Sequence, residues 1–166
     1  MKITLNAVCL LVFAIIMPTI FPTIQIFGVM PNLFLVYVII AGFFVKPENA
    51  LKIGAVSGFI YDILVGHAFG FNTVMYMLAC FFASLFYENM IRRINVLLIV
   101  ISVFAGTFIF EGMYGFFVYF LQNGMSFLQF LKELGTEAFY NAIVTVVLYF
   151  PLKSAMTKVY SEKGDF

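Results

Sequence analysis

Residues 54–72 read G-A-V-S-G-F-I-Y-D-I-L-V-G-H-A-F-G-F-N, with Gly54, Gly58, Asp62, Gly66 and Gly70 at every fourth position. On a helix a four-residue step drifts about 40°, so Gly54, Gly58 and Asp62 share a face roughly 80° wide. Small residues along such a face let another helix backbone come close, which is how helices recognise each other in lipid. A carboxylate at the end of the seam is costly in hydrocarbon, so Asp62 is expected to meet a partner or a wet cavity. The stretch reads as the packing seam and polar end of an integral membrane protein.

The rest of the chain supports that setting. Of its 166 residues 64% are hydrophobic and 10% charged, and the mean hydropathy is +1.08. A soluble domain carries about 45–50% apolar and about 25% charged residues. A spanning helix needs about 20 residues, so six would use roughly 120 and leave short loops, without room for a second or catalytic domain. The net charge of +1 offers no basic surface for nucleic acid.

The expected fold is all-α: a polytopic bundle of six transmembrane helices in one domain over residues 1–156, with a polar cytoplasmic tail at 157–166. The first helix spans about 3–21 and ends at Pro18 and Pro22. Lys2 before an apolar run looks like a signal peptide, but no small-x-small cleavage site follows, so the segment is expected to stay. Pro31 and Asn32 start the second helix, 31–45, with Pro31 in its first turn. Lys46-Pro47-Glu48-Asn49 turns the chain into the third, 50–65. Helices two and three are short for a 30 Å core, so they are expected to be tilted, thinned or partly re-entrant. Residues 73–87, 96–121 and 127–151 supply the remaining three. Ser126 and Gln129 have capping-box spacing, and Phe127, Phe130, Leu131 and Leu134 form an amphipathic stripe beside Lys132 and Glu133.

Six spans and an inside N-terminus place Lys2, Lys46, Lys52, Arg92, Arg93, Lys153, Lys158 and Lys163 on one side. Of the nine basic residues, only Lys132 is left for the other. This is the bias of the positive-inside rule, and it puts both termini in the cytoplasm. Lys46, Lys52, Arg92 and Arg93 are the basic inner loops.

The polar residues inside the spans gather toward the outer leaflet. Glu111 lies ~22 Å from the inner end of helix five and Asp62 ~15 Å along helix three from Lys52. Glu137 sits a turn or two in from the outer end of helix six, and His67 and Asn72 lie in or beside the outer link. Three readings stay open: acids hydrogen-bonded between helices to fix packing, an outward-facing polar pocket or docking groove, or a proton or ion relay. The relay lacks the repeated halves of a carrier. Gly106, Gly112 and Gly115 around Glu111 read as a second close-packing seam. Lone His67 reads as an interfacial hydrogen-bonder, and Cys9 and Cys80 as small buried hydrophobes. No nucleophile is paired with a base and no metal or cofactor motif is present, so no enzyme is expected.

Pro31-Asn32-Leu33, followed by G-x-x-x-G-F-x-x-D-x-L-x-G-x-x-x-G-x-N from Gly54 to Asn72, resembles the MreD family of bacterial rod shape-determining membrane proteins. Length, span count and charge placement extend the resemblance over nearly the whole chain. The family pattern often has Asp where this chain has Asn32, and a small or polar residue where it has His67. The resemblance implies a non-enzymatic scaffold of the cell-elongation complex in the bacterial cell membrane, needed for rod shape and lateral peptidoglycan synthesis. Implied partners besides the lipid bilayer are a bitopic MreC-like protein, MreB, RodA and a class B penicillin-binding transpeptidase. It also implies a fold similar to the substrate-binding subunits of energy-coupling-factor vitamin transporters, with a pocket open to the outside. Such a vitamin-binding subunit is the rival function. The Ala-x-x-x-Ala seam usual in its first helix is missing, since Ala7 is followed by Leu11 and Ala14 by Pro18.

Overall fold

A computed structural model describes residues 2–65, 69–90, 95–116 and 126–160. Helix α1 is Lys2–Thr19, followed by a 3-10 turn at Phe21–Thr23; α2 is Leu33–Gly42, α3 Pro47–Val65 and α4 Phe71–Met90. Helix α5 is Val96–Gly106 and runs through a π-helical turn, Thr107–Glu111, into the short α6, Gly112–Gly115; α7 is Phe127–Tyr160. Among the described residues there is no strand, and a single isolated bridge pairs Ile26 with Val29.

The bundle is built around α2. Its sequence is apolar all round, and every residue from Leu33 to Gly42 is buried, as expected of a helix with no face to offer water. It packs against α1, α3, α4, α5 and α7. Ten residues make a helix about 15 Å long, half of a bilayer's hydrocarbon core. The chain on either side of α2 is irregular yet buried, at Asn32 and at Phe43, Phe44 and Val45, so its backbone groups must be satisfied by protein. Asn32 supplies that at the start: its side chain accepts from Leu35 N–H at 3.0 Å. At the other end Ser84 donates to the Val45 carbonyl. Pro31 thus stands before the cap and not in the first turn, because the capping geometry belongs to Asn32 (φ −94°, ψ 91°).

Around this core the outward faces are apolar. Leu11 and Ile15 on α1, Phe59 and Ile63 on α3, Ile101 on α5 and Phe139, Ile143 and Val147 on α7 are all exposed. Three helical stretches are long and apolar enough to cross a membrane, Thr4–Thr23, Val96–Gly115 and Phe127–Tyr160, and Leu33–Gly42 and Phe71–Tyr87 are shorter apolar helices. A helical membrane protein accounts for both features.

Several boundaries differ from the sequence reading: α2 ends at Gly42 and not near residue 45, and α4 runs over Phe71–Met90 and not 73–87. Helix α3 starts at Pro47, whose fixed φ and missing N–H suit a first helical position. The span that begins at Val96 is not one uninterrupted α-helix, since Thr107–Glu111 is wound as π-helix; residues 117–121 lie outside the described residues. The last helix does not stop at Pro151 but continues to Tyr160. Leu152, Met156 and Tyr160 beyond the proline are buried, so packing holds a turn that propensity alone would end. Part of the stretch expected as a loose tail, 157–160, is therefore helical.

Candidate functional site

The four-residue seam of α3 lies against α4. A Cβ added to Gly54 would stand 2.4 Å from the Tyr76 carbonyl oxygen and 2.5 Å from Met77 Cα; one added to Gly58 would stand 2.4 Å from the Asn72 carbonyl oxygen. Backbone meets backbone at both places. Gly42 of α2 approaches α4 in the same way, at the Cys80 carbonyl. At the end of the seam Asp62, 2% exposed, caps α4. Its carboxylate accepts from the backbone N–H of Gly70 (2.9 Å), Asn72 (3.2 Å) and Thr73 (3.0 Å), and from Asn72 Nδ2 (2.9 Å) and Thr73 Oγ1 (2.7 Å). Gly70 is no part of the packed seam: a Cβ there would touch nothing, and the residue holds φ +91°. Gly66 and His67 lie outside the described residues.

A second polar system crosses the bundle. Asn32 donates from its side-chain amide to the Tyr76 hydroxyl of α4 and to Glu111 Oε1 of the π turn. Its backbone N–H donates to Asn141 Oδ1 of α7 at 2.7 Å, and Asn141 Nδ2 donates to Thr107 Oγ1 at 3.1 Å. Both side chains at the ends of the π turn, Thr107 and Glu111, thus enter one network with Asn32 and Asn141. Buried polar groups of this kind are costly alone and rigidifying when all are satisfied. A π turn inside an α-helix is a common means of re-aiming side chains at functional positions.

Glu111 also borders a cavity of about 210 Å³, with Glu133 and Glu137 of α7, Tyr61 of α3, Tyr114 of α6, and Gly28, Val29 and Met30 ahead of α2. Among the described residues no lysine or arginine lines it, so the described part of its wall is acidic and suits a hydrogen-bond donor or a cation. Drug-sized ligand pockets run from about 300 to 1,000 Å³, so the cavity is small for a vitamin-sized molecule. Among the described residues no group of three His, Cys, Asp or Glu side chains is placed to hold a metal ion. An apolar groove of about 640 Å³ lies between α4 and α5, with Ala79, Ala83, Ala105 and Gly106 among its lining residues.

The acids read from the sequence as one outward group therefore divide. Glu111 and Glu137 line the same cavity, whereas Asp62 and Asn72 are spent on the α3–α4 turn and do not line it. Of the glycines near Glu111, Gly106 faces Ile39 of α2, and Gly112 and Gly115 face Leu134 and Phe130 of α7. Lys46 and Lys52 are exposed at the other end of the bundle's α3, and Arg92 and Arg93 lie outside the described residues. Sequence reasoning passed over Tyr76, Thr107 and Asn141. The signal for Asn141 and Thr145 was there, two polar residues four apart within an apolar span. Tyr76 had none, because one tyrosine among nine does not announce its partner. The expected capping box is also absent in form, since Gln129 donates forward to Glu133 at 3.1 Å.

A family model described as rod shape-determining protein MreD matches residues 1–159. No curated protein and no solved structure matches the chain.

Proposed function

The chain belongs to the MreD family of rod shape-determining proteins, and we propose that it serves the cell-elongation complex as a non-enzymatic membrane scaffold. The observation that carries this reading is the family match over residues 1–159. The geometry supports it: the buried polar side chains are turned onto one another, and the outward faces of α1, α3, α5 and α7 carry exposed apolar side chains. Partners in this reading are a bitopic MreC-like protein, and through it or beside it MreB, RodA and a class B penicillin-binding transpeptidase.

The bundle crosses the bacterial cell membrane six times in this reading, with both termini in the cytoplasm. Asn6 Nδ2 donates to the Tyr160 hydroxyl at 3.0 Å, so the start of α1 and the end of α7 share one end of the bundle, as an even number of crossings requires. The lysine bias of the sequence puts that end inside.

The test is capture of the tagged protein from its own membranes in nanodiscs, with mass-spectrometric identification of what accompanies it. A bitopic MreC-like protein with a glycan polymerase or transpeptidase is the expected result. A membrane-embedded coupling subunit with paired ATPases would overturn the scaffold and make the chain a vitamin-binding subunit.

A further inference from the structure

Between α1 and α2 the chain reverses through Ile26-Phe27-Gly28-Val29. Ile26 N–H donates to the Val29 carbonyl at 3.1 Å and Val29 N–H to the Ile26 carbonyl at 2.9 Å. Phe27 (φ 53°) and Gly28 (φ 81°) both lie in the left-handed region. A two-residue turn of this hand favours Asn, Asp or Gly at its first central position, and a bulky aromatic there is an outlier. Burial does not offset the strain, because Phe27 is 79% exposed. A strained aromatic that takes no part in the core, and whose ring is met by the ammonium of a lysine, points to a role outside the fold.

What the ring faces follows from depth along α7. Phe150 is exposed, and the next exposed residue of comparable length is Lys153, which marks the inner edge of the hydrocarbon near Phe150. A core of about 30 Å takes about 20 residues of helix and ends near Phe130; an average tilt of about 20° moves this by roughly one residue. Lys132 then lies at the far edge of the core, and the exposed Phe127 and Leu128 fall in the headgroup layer, about 5–7 Å thick on each side. The Lys132 ammonium stands 5.1 Å from the centroid of the Phe27 ring, which fixes Phe27 at that same level.

We propose that the Phe27 turn is a lipid anchor, with its ring set among the glycerol and upper acyl carbons and Lys132 beside it presenting its ammonium to a lipid phosphate. Aromatic rings at this depth hold membrane proteins in register, and a lysine at the edge of the core extends its charge to the headgroups. The left-handed backbone is what points the ring outward, away from the acidic cavity that Gly28 and Val29 border. A docking tooth for a water-soluble domain would have to stand beyond the headgroups, and this turn does not reach that far. The choice of leaflet rests on the proposed orientation, whereas the depth does not.

The chain contains no tryptophan, so Phe27→Trp gives a single reporter at an exposed site that accepts its bulk. The variant would be placed in nanodiscs of phosphatidylglycerol carrying bromine either near the glycerol or near the chain end. The expected result is the larger loss of emission with bromine near the glycerol, and a smaller loss when Lys132→Gln is added. Strong quenching by aqueous acrylamide with neither bromolipid effective would overturn the anchor and leave the turn to a partner's soluble domain. Strongest quenching by chain-end bromine would overturn the depth. In detergent, Phe27→Asn should raise the thermal midpoint by relieving the backbone; a lowered midpoint would show the ring to be structural and also overturn the proposal.

Discussion

Asp62 holds Thr73 twice, Oδ2 accepting from its backbone N–H at 3.0 Å and from its hydroxyl at 2.7 Å. A side chain of α3 is thereby the N-terminal cap of α4, satisfying amides that a helix start leaves without partners. The negative charge also faces the positive end of the α4 dipole. The glycine seam and the acid are one device: the glycines bring the two backbones together, and Asp62 closes the end.

Removing the acid should open that end. Asp62→Ala leaves the Asn72 and Thr73 amides without acceptors in an apolar setting, and is expected to cost about 3 kcal/mol. Asp62→Asn keeps one acceptor oxygen and should cost less, about 1–2 kcal/mol. Thermal unfolding in detergent or nanodiscs measures both, and equal losses would mean that the charge and second oxygen contribute nothing.

The glycines should separate by position. Gly54→Ala and Gly58→Ala push a methyl into the α4 backbone at 2.4–2.5 Å, and backbone does not rotate away as a side chain does. Each should cost at least the ~1–3 kcal/mol of an overpacked core, with misfolded protein in the membrane as the visible sign. Gly135→Ala is the control: nothing lies within 4 Å of its added Cβ, and in a helix interior the change should stabilise by about 0.5–1 kcal/mol.

That contrast shows what sequence can disclose. Gly54, Gly58 and Asp62 were legible because a four-residue period puts them on one helix face whatever the fold. Which helix they meet was not, since spacing describes a face and not its neighbour. That Glu111 and Glu137 share one level of the bundle was legible from depth along their helices, and they line one cavity; yet Asp62 at similar depth belongs to another site, because depth does not give the angle around the bundle. Asn32 was read as a helix start; that it also bonds to three other helices depends on α2 being central. The π turn has no sequence mark, and Pro151 misled because the packing of Leu152 and Met156 overrides its preference.

The Asn32–Glu111 contact admits a double-mutant test. Asn32→Asp keeps the cap on Leu35 N–H but replaces the donor to Glu111 with a second carboxylate, and should cost about 2 kcal/mol or more. Glu111→Gln supplies an amide donor in return. The pair together should be more stable than the sum of the singles by about 1–3 kcal/mol, the range for residues in direct contact. Simple additivity in thermal or denaturant unfolding would remove Asn32 from the role of hub.

The far end of the bundle rests on Tyr160, and two substitutions there separate its ring from its hydroxyl. Asn6 donates to the Tyr160 hydroxyl at 3.0 Å and accepts from the Tyr37 hydroxyl at 2.7 Å, so one asparagine links α1, α2 and the last residue of α7. Tyr160→Phe removes the hydrogen bond from Asn6 and should cost about 0.5–1.5 kcal/mol. Tyr160→Ala also empties a position where the ring is 1% exposed, and the loss should rise to about 3–5 kcal/mol. The difference matters because Tyr160 lies nine residues beyond Pro151, where helix propensity would already have ended the span. If both variants unfolded like the parent, the turns after Pro151 would be dispensable and the core would end at the proline. If Tyr160→Ala loses far more than Tyr160→Phe, packing of the ring is what carries the helix through.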